Sequence, residues 1–210
     1  MLPQYYTVRE RGEHEIIIKK SRFICHVNRA TTEEEAQTFI QDIKKKHCNA
    51  THNCSAYLIG ENDQYQKAND DGVPSGTAGV PILEVLKRRN LKDTVVVVTR
   101  YFGGIKLGAG GLVRAYGTST SEGIKEVGVV KRNLMQMIQT TVDYTWLGKL
   151  ENELRSSNYI LNTINYLDKV EFETFVMENQ TQSFMSWIIE LTNGQCNFQK
   201  GNLTYLEKTL

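Results

Sequence analysis

Two segments of this chain are too rich in glycine to be regular structure, and each is followed by a helical pattern. They are NDDGVPSGTAGVP, Asn69–Pro81, and RYFGGIKLGAGGLVRAYG, Arg100–Gly117. Glycine permits positive φ and close backbone approach. A helix start offers unpaired N–H groups and a positive dipole end. Together they make a natural cradle for a phosphate or carboxylate. In the second segment Gly103, Gly104, Gly108, Gly110 and Gly111 shape the loop, and Lys106 and Arg114 can add charge-assisted contacts. Neither segment has the spacing of a nucleotide P-loop or of a dinucleotide fingerprint. The plainer alternative is that these glycines only permit tight turns and close helix–sheet packing.

The apolar pattern places ordinary elements around the two segments. Strand signals fall at His14–Lys19 and Phe23–Asn28. A helix follows at Glu33–His47, opened by a Thr32/Glu35 capping box and striped by Ala36, Phe39, Ile40 and Ile43. Strands are expected at Cys54–Gly60 and Tyr65–Asn69, and a helix at Val80–Arg89 with Pro81 in its first turn. Val95–Val98 is a continuous apolar run, as in a strand buried on both faces. A third helix spans Gly110–Val127. From Leu134 the order reads βαββαβ, with strands at Leu134–Tyr144, Tyr159–Leu167, Val170–Met177 and Cys196–Leu206. That order fits a ferredoxin-like module. The expected class is therefore α+β in two domains, residues 1–130 and 134–210.

Charge separates the halves. The net charge is only +1, which excludes a globally basic nucleic-acid coat. Yet Leu86–Arg114 carries Lys87, Arg88, Arg89, Lys92, Arg100, Lys106 and Arg114 against Asp93 alone. An anionic polymer would meet this stretch first. No apolar run approaches the ~20 residues that span a bilayer. Neither a secretory leader nor a disulfide framework shows in Cys25, Cys48, Cys54 and Cys196, so a reducing cytoplasm is the expected compartment.

Chemistry-bearing side chains fall into two sets. The anion-binding or nucleic-acid set is Arg88, Arg89, Lys92, Arg100, Tyr101, Gly103, Gly104, Lys106, Gly108, Gly110, Gly111 and Arg114. Tyr101, Phe102 and Tyr116 lie among these cations, a combination suited to single-stranded nucleic acid, although aromatics beside a buried strand also serve as core. The second set is a candidate cleft of His52, Cys54, Asp70, Asp71, Ser75 and Thr77. Asp70 and Asp71 suit acid–base work, a divalent cation, or simply a turn. His52 and Cys54 share a strand face and could form a nucleophilic pair. The run His47, Cys48, His52, Cys54 lacks the second ligand pair of a structural zinc site. No metal, cofactor or catalytic set is assigned.

The two glycine-rich segments, with SRFI at Ser21–Ile24 and ATHNCSAYLIG at Ala50–Gly60, closely resemble the signature of the IMPACT family in its bacterial two-domain, YigZ-like form. That signature commonly has Glu where this chain has Val73. The resemblance implies a first domain like the second domain of a small-subunit ribosomal protein and domain IV of elongation factor G. It implies a ferredoxin-like second domain similar to domain V of that factor. By the same resemblance the chain is expected to be a non-enzymatic RNA- or ribosome-associated protein in translation regulation. An enzyme acting on a small phosphorylated or nucleotide-like ligand at the glycine-rich loops and a protein-interaction module are the alternatives. No membrane partner is expected.

Overall fold

The computed structural model describes residues 1–209. The chain divides into two compact α+β units, one holding Tyr5–Lys131 and the other Met1–Gln4 with Arg132–Glu207. In the first unit the elements are β1 (Gln4–Val8), β2 (Gly12–Ile18), β3 (Ser21–Arg29), α1 (Glu33–Lys46), β4 (His52–Ile59), β5 (Tyr65–Asn69), α2 (Gly79–Arg88), β6 (Thr94–Tyr101) and α3 (Ala109–Val127). The sheet order is β2–β3–β6–β4–β5, with every neighbouring pair antiparallel. β6 therefore lies between β3 and β4, which α1 connects.

β6 explains the continuous valine run. Val95 and Val97 pack with Phe39, Ile40 and Ile43 of α1 on one face. Val96 and Val98 pack with Ile82, Leu86, Tyr116 and Ile124 of α2 and α3 on the other. A central strand covered on both sides loses its polar alternation even in an antiparallel sheet. α1 starts as its cap predicts: the Glu35 N–H donates to Thr32 Oγ1 at 3.2 Å. The reciprocal bond goes one residue further back, from the Thr31 N–H to the Glu35 carboxylate at 2.7 Å. β1 was absent from the periodicity reading. Its Tyr6 bridges to Leu91, and the Tyr6 carbonyl accepts from the Lys92 N–H at 2.8 Å.

The second unit contains β7 (Val129–Val142) from Arg132 onward, α4 (Leu147–Ser156), β8 (Ile160–Tyr166), β9 (Val170–Met177), α5 (Thr181–Leu191) and β10 (Asn197–Thr209) as far as Glu207. β9 lies antiparallel between β7 and β8, and β10 pairs with β7. The resulting order β10–β7–β9–β8 is the ferredoxin-like arrangement. Val170, Phe172 and Val176 of β9 face Leu150, Leu154, Phe184 and Ile188 of the two helices. The Met1–Gln4 segment belongs here too: the Leu134 N–H donates to the Pro3 carbonyl at 2.8 Å. Tyr205 Oη donates to the Leu2 carbonyl at 2.7 Å.

Candidate anion site at one end of the first sheet

Antiparallel pairing brings the start of β3, the end of β6 and the start of β4 to one end of the sheet, where Arg100 is flanked by Phe23 and His52. Both glycine-rich segments come to this end, and they are used differently. The first is closed by its own side chains. The N–H groups of Gly76, Ala78 and Gly79 donate to the Asp70 carboxylate at 2.8, 3.0 and 2.8 Å. Asp70 thus fills the start of α2. Burial alone would raise its pKa, but the three N–H bonds outweigh burial and hold it below the usual Asp value. Asp71 accepts from Lys44 Nζ and from the Asn53 N–H, each at 2.6 Å. The acidic pair is a capped turn, and Asp70→Ala should cost about 2 kcal/mol of stability in urea unfolding.

The remaining cleft residues are also engaged. The His52 Nδ1–H donates to the Asp71 carbonyl at 2.8 Å. The Cys54 thiol is buried, 3.0 Å from the Asp70 carbonyl and 3.3 Å from Tyr116 Oη. Burial pushes it up to about 12, so it is a thiol at neutral pH. His52 and Cys54 share a strand face but hold separate partners. Thr77 is buried and donates to the Pro74 carbonyl at 2.6 Å, while Ser75 is exposed. Val73 packs into the core beneath α2. His47 bonds to Tyr101 Oη, away from His52. Among the described residues no three His, Cys, Asp or Glu side chains come together as a metal-holding group.

The second segment is open. α3 starts at Ala109 with no side-chain cap, and its first ladder bond runs from the Leu112 N–H to the Gly108 carbonyl. The N–H groups of its first turn are left for solvent or a ligand. Arg114 lies over this turn, its Nη1 3.8 Å from where a Cβ on Gly110 would stand. A depression of about 170 Å³ beside it is lined by Lys19, Leu107, Gly111 and Arg114. Gly104 and Gly108 have φ of +84° and +71° and face open space, and Lys106 is exposed between them. Gly111 packs against the Leu107 side chain. Gly103 is structural, since a Cβ there would lie 2.0 Å from the Lys20 carbonyl oxygen.

The basic stretch does not act as one surface. Lys92 is mostly buried and paired with Asp63. Arg100 is 6% exposed. Tyr101 lies on the α1 face, bonded to His47 and covered by the Arg22 guanidinium. Arg89 donates to the Ser121 carbonyl at 3.2 Å. Arg88 and Arg114 line one groove of about 560 Å³ between α2 and α3, but Glu84 and Glu122 line it too. Tyr116 is fully buried, which leaves Phe102, 47% exposed, as the aromatic beside the open loop.

Sequence reasoning missed Lys19 and Lys20. They form the two-residue turn joining β2 to β3, with φ of +45° and +64°. The signal was available: two residues between alternating strands make a hairpin, and lysine is a poor choice there. Left-handed backbone costs a non-glycine residue roughly 1 kcal/mol. Replacing Lys19–Lys20 by Asn-Gly should therefore raise the melting temperature while weakening anion binding at α3.

Comparison with known proteins agrees with this architecture. The model of the Impact N-terminal domain matches residues 19–124, and that of a domain of unknown function (DUF1949) matches residues 140–195. The chain is 67% identical to the IMPACT family member YvyE of Bacillus subtilis (strain 168), over 100% of this chain and 97% of that protein. It is 33% identical to the IMPACT family member YigZ of Escherichia coli (strain K12), over 68% of this chain and 74% of that one. A crystal structure described as that of an hypothetical protein superposes with a TM-score of 0.61 at 26% identity, covering 94% of this chain and 97% of the other. The chain belongs to the IMPACT family. Among the described residues, no helix is long and apolar enough to cross a membrane.

Proposed function

We propose that this protein binds RNA through the open start of α3 and acts in translation control in the cytoplasm. One observation carries the reading. The uncapped α3 N-terminus is approached by Lys19 and Arg114, Lys106 stands exposed in the loop that leads to it, Lys20 shares the turn with Lys19, and none of the four is held in an ion pair among the described residues. Exposed Phe102, at the head of the same loop, adds a face on which a base can stack. Backbone N–H groups and unpaired cations position phosphates without reading sequence. The resemblance to ribosome-associated domains supports translation as the setting. The enzyme alternative gains nothing from the cleft, because Asp70, Asp71, His52 and Cys54 are all bonded within the chain.

The test is co-sedimentation with ribosomes and total RNA across a salt series. Lys106→Glu/Arg114→Glu should lower affinity at least about tenfold and flatten the salt dependence. Arg88→Glu/Arg89→Glu should have a smaller effect, because Glu84 and Glu122 already offset charge in that groove. Binding that is unaffected by the first pair of reversals would refute the reading.

A further inference from the structure

Arg100 is a buried cation with no counter-charge. Its side chain shares the β6 face of Val96 and Val98, under α2 and α3, at the strand end from which the Phe102–Gly108 connection runs to the α3 N-terminus. The guanidinium lies 5.4 Å from the Phe23 ring centre and 5.5 Å from that of Phe102. Its Nη2 makes one long bond, 3.4 Å, to Ser21 Oγ. Its Nε has no hydrogen-bond partner, and no carboxylate is within ion-pair reach among the described residues. Buried charges are normally paired, since an unpaired one is strongly destabilising. Packing does not account for an arginine here, where a methionine would fill the space without that penalty.

The geometry points to a terminal phosphate monoester as the missing partner: Arg100 binds the phosphorylated end of an RNA chain, while the α3 amides, Lys106 and Arg114 hold the phosphates that follow. The inference rests on the RNA reading above and narrows it. An internal phosphodiester carries a sugar on both sides and cannot bring an oxygen to a guanidinium sunk beneath the sheet end. A terminal phosphate has one substituent, three free oxygens and up to two charges, which suits a planar fork of donors. The Phe102 ring is half exposed and covers one side of the guanidinium, so the ring must swing aside for a phosphate to reach it. The Phe102 backbone meanwhile stays fixed by its N–H bond to Thr51 Oγ1 at 3.0 Å.

The experiment compares binding of one short oligoribonucleotide carrying either a 5′-phosphate or a 5′-hydroxyl, with nucleoside 5′-monophosphate and inorganic phosphate as competitors. Wild type should prefer the phosphorylated end by about tenfold. Arg100→Met should bind both oligonucleotides alike, at the weaker affinity, and should melt at a higher temperature than wild type. Arg100→Lys keeps the charge without the fork and should lose most of the preference, which covers the case of a poorly folding Met variant. Equal binding of both oligonucleotides by wild type would overturn the inference and leave the RNA reading standing. Binding of neither would overturn both. Nucleoside monophosphate binding as tightly as the phosphorylated oligonucleotide would keep the phosphate site but assign it to a small ligand. A phosphate preference that survives in Arg100→Met would remove Arg100 from the site.

Discussion

Gly79→Ala should destabilise the first unit by at least about 3 kcal/mol, among the larger effects of a single methyl. A Cβ at Gly79 would stand 2.4 Å from the backbone nitrogen of Asn69 and 2.9 Å from its carbonyl carbon. Backbone cannot rotate away as a flexible side chain can. Relief requires the start of α2 to lift from β5, which also breaks the Gly79 N–H bond to Asp70. The expected result is a melting temperature lower by roughly 10 °C. Gly117→Ala is the contrast, because a Cβ there meets nothing within 4 Å. In the middle of α3 that substitution should stabilise by up to about 1 kcal/mol. Equal effects from the two variants would show that Gly79 is not held by packing.

The second large effect is loss of stability on acidification. His26 is 2% exposed on the α1 face. Its Nδ1–H donates to the Glu13 carboxylate at 3.1 Å, and its ring centre lies 4.9 Å from that of His47. Desolvation, then the neighbouring His47 and Lys46, lower its pKa to about 4, and Glu13 offsets only part of this. In the unfolded chain the group titrates near 6.5. A depressed histidine is neutral in the fold, so its contribution is fully present above pH ~6.5 and is lost as pH falls toward 4. The size is about 3 kcal/mol at the acid end. Urea midpoints measured from pH 7.5 to 4.5 should fall for wild type and fall less for His26→Gln. Parallel curves for the two proteins would exclude His26 as the source.

Much of the architecture was legible because periodicity reports burial. The α1 stripe, the alternation of β9 and the valine run of β6 each follow from which faces are covered. β1 was not legible: QYYTV has no clean two-residue alternation, and its buried residues are Tyr5, Thr7 and Val8. The candidate site was half legible. Glycine content marked both loops, but composition does not show that Asp70 occupies one helix start while the other stays open. Nor does a count of cations show that Lys92 is spent on Asp63. Arg100 was nearer to hand. Extending the alternation of Val96 and Val98 by one step places it in the core and sends Tyr101 to the opposite face.

The short opening segment has a consequence for the order of synthesis. Leu2 is bonded to Tyr205, which is made 203 residues later. At ordinary elongation rates of roughly 5–20 residues per second, that is a wait of roughly 10–40 s. During that time the first unit can complete its own sheet. The second unit then closes on its N-terminal contributor, Met1–Gln4, which was made before the rest of it. A fragment begun at residue 134 is deprived of that contributor, so it tests a different object from the unit that forms in the whole chain.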